Sequence, residues 1–96
     1  MSTPIIISID AQNDIRKIVH WYDEQREGLG EEFYSKLLLL FAKIQSNPEM
    51  YGHVTKSMRV ATTRKFPHAC YFHSTSQLIT IVAVQHGRRS DRHWKR

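Results

Sequence analysis

Apolar and polar residues change their spacing twice along this chain, and each change marks a boundary. Ile5, Ile6, Ile7 and Ile9 form a β-branched run after Pro4, which predicts a first strand buried on at least one face. Pro4 has no N–H to give to a ladder, so it belongs at the start of that strand. Asp10 reads as a helix N-cap, its carboxylate accepting from the N–H groups of the next turn. Ala11, Ile15, Ile18, Val19 and Tyr22 then form the stripe of an amphipathic helix reaching about Arg26, with Gly28 as its left-handed stop. Asn13, Arg16, Lys17, His20, Asp23 and Glu24 fall on the solvated side.

Leu29 and Gly30 make a tight joint into a second helix. Glu31 and Glu32 sit in its first turn, where negative charge suits the helix dipole. Phe33, Leu37, Leu40, Phe41 and Ile44 keep the helical spacing, whereas Leu38 and Leu39 widen the apolar surface beyond one stripe. Pro48 disfavours helix at Asn47. So short a joint predicts an antiparallel helical hairpin. Trp21, Tyr22, Phe33 and Phe41 all fall at core spacing.

After an irregular connection over residues 49–57 the period becomes two. Met58, Val60 and Thr62 alternate with Arg59, Ala61 and Thr63, which predicts a strand with one face to solvent. Phe66-Pro67 marks a turn, residues 69–73 a strand, and residues 74–77 a hairpin turn. Residues 78–84, LITIVAV, are apolar almost throughout, as in a strand covered on both faces in mid-sheet. Tyr71 and Phe72 point to opposite faces, so one is core and the other lies on the cationic side. The order β-α-α-β-β-β predicts one α+β domain over residues 1–96, with the helical hairpin packed on one face of a small, mainly antiparallel sheet.

Charge changes this picture more than composition does. Hydrophobic residues make up 41% and charged ones 24%, ordinary for a globular chain of 96 residues. Residues 51–96, however, hold nine Lys and Arg against one acid, Asp91, a local +8, while residues 1–50 hold five against eight, or −3. A cationic region beside a sheet suits a polyanion or an acidic protein. The single cysteine, Cys70, excludes an internal disulfide and reads as a packed thiol of a reducing cytoplasm. No apolar run approaches the roughly 20 residues needed to span a bilayer, and the start lacks the basic segment of a secretory signal, so a cytoplasmic protein without membrane contact is expected.

The six histidines show no helical HxxxH pair, His20 sits alone on a solvated helix face, and His86 and His93 flank an arginine loop with the acids, Asp91 apart, in the other half of the chain, so neither a metal nor a cofactor is expected. His86 beside Arg88 and Arg89 is the sharpest constellation. A histidine at the end of a strand could move protons on a phosphodiester while the guanidiniums stabilise charge. Cutting RNA in this way needs no metal. The competing reading is that strand ends meet water and tolerate His and Arg. Lys56, Arg59, Arg64 and Lys65 either extend a phosphate-binding face or solubilise an edge. Trp94 reads as pinning the C-terminal tail against the sheet.

In its full length the chain resembles the RelE/ParE superfamily of small toxins from type II toxin–antitoxin systems. Ala11-x-x-Asp14-Ile15 with Trp21-Tyr22 is similar to the family's first helix, and Gly28-Leu29-Gly30-x-x-Phe33 to its interhelix joint. Asn47-Pro48-x-x-Tyr51, Arg59, Phe66-Pro67-x-x-x-Tyr71 and Val84-x-His86-x-x-Arg89 with Trp94 follow in the same order. The resemblance implies growth arrest and a cognate antitoxin, short, acidic and encoded in an adjacent frame, with a toxin–antitoxin hetero-oligomer as the assembly. It leaves two targets open. ParE-like members inhibit DNA gyrase, whereas RelE-like members cut ribosome-bound mRNA. The ribonuclease branch usually has an arginine where this chain has His68-Ala69, and some members use a glutamate base, where the cationic half offers only Asp91. Lys56, Arg59, His86 and Arg89 would be the catalytic set of a ribonuclease, with Arg64, Lys65 and Arg88 as target or phosphate contacts. The stretch from His86 to Asp91 is closer to the ParE-like strand end, which favours gyrase. Leu38 and Leu39, with the basic half, are the expected antitoxin contacts. A small basic nucleic-acid-binding module without activity is the reading outside the toxins.

Overall fold

Ser8 decides where the first strand ends. Its hydroxyl accepts from the Ala11 N–H at 3.0 Å and caps the following helix, so Asp10 lies inside the first turn and is not the N-cap the spacing suggested. Ile9 is accordingly an exposed first helical residue and not the last of the strand. The computed structural model describes residues 3–86. Strand β1 is Ile5–Ile7, helix α1 Ile9–Gln25, helix α2 Leu29–Ser46, β2 Arg59–Thr62, β3 His68–Ser74 and β4 Ile79–His86, with a single 3-10 turn at Pro48–Met50 between α2 and β2.

The joint between the helices is shorter than the glycine pair alone predicts. Gly28 takes φ 87, a left-handed conformation that costs glycine nothing, and α2 begins immediately after it. Gly30 is already helical and is small for another reason. Its N–H donates to Asp23 Oδ1 at 2.8 Å, and a Cβ there would overlap the Val19 carbonyl and stand 2.8 Å from Val19 Cγ1. α1 and α2 therefore approach closely enough here for the Gly30 backbone to lie against the Val19 backbone carbonyl.

The sheet order is β1-β4-β3-β2, with β1 parallel to β4 and both other pairs antiparallel. β4 is an interior strand, as its apolar run predicts, although it starts at Ile79 and continues two residues beyond Val84. Both helices lie on one face, over a core in which Phe33, Leu37, Ile44, Phe72, Ile79 and Ile81 are fully buried. Cys70 is buried in the same core, and burial pushes its thiol pKa far above the ordinary value, consistent with a packed, unreactive group.

One irregularity matters for the site. Tyr71 faces Ala83 but Phe72 faces Ile81, so Val82 is an extra residue on β4, a β-bulge. Counting in twos from Ile79 and Ile81 sends Ala83 and Gln85 toward the helices. The bulge reverses the phase, and Val84 joins the helix-side core while Ala83 joins a second cluster on the other face. The bulge sits where β1 has run out. There Ser8 Oγ donates to the Val82 carbonyl at 3.2 Å, and Asp14 Oδ2 accepts from the Val84 N–H at 3.0 Å. Helix α1 thus satisfies the backbone groups of β4 that β1 no longer reaches.

Candidate functional site

The reversed phase of β4 places His86 opposite His68 on β3, their ring centroids 5.5 Å apart and nearly perpendicular. His68 is buried, with its ring 5.1 Å from that of Phe33 and 5.6 Å from that of Tyr22, which also meets Phe66 edge-on at 5.0 Å. The Tyr22 hydroxyl lies 3.4 Å from His68 Nδ1. Burial, and then the neighbouring His86, lower the His68 pKa from 6.5 to about 4, so it is a neutral ring at physiological pH. Burial raises the Tyr22 pKa above 10.0 in turn, keeping its hydroxyl protonated.

Above this cluster runs a cleft of about 810 Å³ between α1 and the ends of β3 and β4, lined by Lys17, Ile18, Trp21, Pro67, Gln85 and His86 among others. Trp21 is 55% exposed and stands at its rim, so the expectation that it belongs to the core fails. Its ring packs edge-on against Tyr22 at 5.1 Å instead. Tyr22, Phe33 and Phe41 are buried as their spacing predicts. Tyr71 and Phe72 take opposite faces, but both are buried, Tyr71 in the second cluster with Met58, Ala69 and Ala83.

The cations singled out from the sequence do not share one face. Arg59 stands opposite Phe72, on the helix side, and its guanidinium donates to the carbonyls of Tyr51 and Glu49, tying the 3-10 turn to β2. Lys65, a non-glycine residue with φ 75, forms an ion pair with Glu32, which also holds Arg26 at 3.3 Å. Lys56 and Arg64 are exposed on connections. Arg59 and His86 flank β3 at Phe72 and His68, four residues apart along it, which puts them about 16 Å from each other. Among the described strand residues, the face turned away from the helices carries no Lys, Arg, Asp or Glu. Arg88, Arg89, Asp91 and Trp94 lie outside the described residues. Leu38 and Leu39 are 46% and 58% exposed on α2.

His68 was not among the residues singled out as site members. Its sequence signal is a pairing, since it becomes visible only when the β3–β4 register sets it across from His86. Ser8 and Asp14 were likewise hidden, because their partners on β4 are more than 60 residues away in sequence.

Two helices on one face of a four-stranded mixed sheet, with this strand order, define the α+β architecture of RelE and ParE toxins. Solved structures share it. The chromosomal ParDE system from P. aeruginosa aligns with a TM-score of 0.78 at 13% identity, over 88% of this chain and 96% of that one. The E. coli toxin RelE, a double mutant in the free state, gives 0.65 at 12% over 97% and 92%. The archaeal RelE–RelB complex from Pyrococcus horikoshii OT3 gives 0.59 at 11% over 94% and 100%. No curated protein matches the sequence. Residues 5–91 match the family described as ParE toxin of type II toxin-antitoxin system, parDE. The chain belongs to that family.

Proposed function

We propose that this protein arrests growth by binding and inhibiting DNA gyrase, and that a cognate antitoxin neutralises it. Membership of the ParE family supports the toxin half of this reading. The observation that carries gyrase over mRNA is the dispersal of the residues a ribonuclease would need. Among the described residues, Arg59 is committed to backbone carbonyls and stands about 16 Å from His86, and Lys65, one of the expected phosphate contacts, is committed to Glu32. His86 itself faces a buried imidazole, with no described guanidinium in the cleft. A protein contact asks only for an exposed, complementary surface, and the cleft rim with Trp21 and Lys17 offers one.

The antitoxin is expected to be short and acidic, and to contact the basic half together with Leu38 and Leu39. Among the described residues no helix is long and apolar enough to cross a membrane. A cytoplasmic site of action follows from the proposed target.

Purified protein tests the reading directly. Gyrase supercoiling falls in its presence, ribosome-bound mRNA stays whole, and His86→Ala retains most of the growth arrest, because one contact in a broad interface seldom dominates. Cleavage of ribosome-bound mRNA that disappears in His86→Ala, a loss of about 100-fold or more for a general acid or base, overturns it in favour of a ribonuclease.

A further inference from the structure

Among the described histidines, His68 and His86 are the two whose rings meet. They are directly opposed on the antiparallel strands β3 and β4, and both line the cleft beside α1. Opposed residues of such a pair carry their Cβ atoms about 4.5–5.5 Å apart, so the two imidazoles leave the sheet side by side. Neutral imidazole nitrogen is the commonest protein ligand for borderline cations such as zinc. A tetrahedral ion about 2.0–2.1 Å from one nitrogen of each ring sets the ring centres roughly 5–5.5 Å apart. The observed separation is 5.5 Å. Little movement is needed, and His86, half-buried at the end of its strand, can turn to make it.

Two further features suit a cation. The Tyr22 hydroxyl lies 3.4 Å from His68 Nδ1. In the tautomer that bares Nε2, Nδ1–H donates to the Tyr22 oxygen, and metal-bound histidines characteristically give their second N–H to an oxygen in this way. Charge is the second feature. In the sequence the acids stand almost wholly in the other half of the chain. The fold nevertheless brings Asp14 from α1 to the cleft, where its Oδ2 accepts from the Val84 N–H. Its carboxylate offsets Lys17 in the same cleft. Among the described residues no group of three or more His, Cys, Asp and Glu side chains is placed to hold an ion, so water completes the coordination shell.

We propose that His68 and His86 together bind one divalent cation of the zinc class, through an imidazole nitrogen of each, in the cleft. The ion ties the first residue of β3 to the last of β4 and, through Tyr22, to α1. It braces the end of the sheet that β1 does not reach. Two protein ligands give micromolar affinity, short of that of a four-ligand structural site. Magnesium and calcium, which seek oxygen, are not retained. The site is independent of what the toxin acts on.

Zinc chloride titrated calorimetrically into the chelator-stripped full chain, made without a histidine tag, tests the proposal. One ion binds per chain, and zinc at ten times its dissociation constant raises the thermal midpoint by about 5 °C or more. Magnesium at the same concentration leaves it unchanged. His86→Ala, at a half-buried strand end, keeps the fold and weakens zinc binding about tenfold or more. His20→Ala, His53→Ala, His73→Ala and His93→Ala each bind zinc as the wild type does. In nitrogen-15 spectra of the wild-type imidazoles, the His68 and His86 rings shift together as zinc is added. No saturable binding below about 1 mM zinc overturns the proposal. So does a zinc affinity unchanged in His86→Ala, or lost in any of the four control variants. A His68 ring whose spectrum ignores saturating zinc overturns it as well.

Discussion

The two ends of the helix–sheet interface are built from different materials. At the end near β1, Leu37, Ile44, Phe72, Ile79 and Ile81 make a dry, mostly aliphatic core with no titratable group among them. At the opposite end, where β3 begins and β4 finishes, Tyr22, Phe33 and Phe66 pack around the imidazole of His68, with His86 beyond it. The first end depends on apolar packing, which a change of pH leaves alone. The second depends on one ring staying neutral. The candidate cleft lies at the second end, so it shares its ground with the ring whose protonation acid would change.

Substitutions can pull the two ends apart. Phe72→Ala should cost the most, about 3–5 kcal/mol of unfolding free energy in a urea titration, because it opens a void in a fully buried position. The cost should be the same at pH 7.5 and pH 5.5. A pH-dependent cost would mean the ends are not separable.

Acid should act on the other end. The folded His68 has a pKa of about 4 against 6.5 for an exposed histidine, so between those values the unfolded chain binds more protons. Its contribution is complete above pH 6.5 and is lost as the pH falls toward 4, about 3 kcal/mol in all. His68→Phe, which keeps a ring in the cage, should flatten the urea midpoint over this range. An unaltered slope in that variant would assign the acid sensitivity elsewhere.

The smallest effect belongs to Trp21→Ala. A side chain more than half exposed should cost about 1 kcal/mol or less in thermal unfolding. A clear drop in gyrase inhibition at unchanged stability would make Trp21 part of the target contact. A large loss of stability would return it to the core.

Much of the fold is legible in the chain because it is local. The stripe Ala11, Ile15, Tyr22, the run Phe33, Leu37, Leu40, Ile44, and the apolar β4 each announce their element through spacing. Trp21 misled because it neighbours Tyr22 and spacing alone did not decide which ring turns inward. Ser8 took the cap from Asp10 because its hydroxyl, two residues earlier, also reaches β4. The site was less legible for one reason. His86 could be recognised as reactive chemistry, but its direction depends on the extra residue at Val82, and no pattern of alternation reveals where an alternation breaks. The cations were overread on the same ground, since Arg59 belongs to a hydrogen-bonded strut and Lys65 to an ion pair that only packing assembles.

The capping of β4 by Ser8 and Asp14 also orders events in time. Their bonds to Val82 and Val84 span 74 and 70 residues, and among the described residues β1 pairs with β4 alone. During synthesis the first fourteen residues are made long before the strand that receives them. The helical hairpin can close early from its own local contacts, but β1 waits for nearly the whole chain. A truncated nascent chain that stops before Ile79 therefore cannot complete the sheet or assemble the His68–His86 end, so translation aborted before that point releases no folded domain.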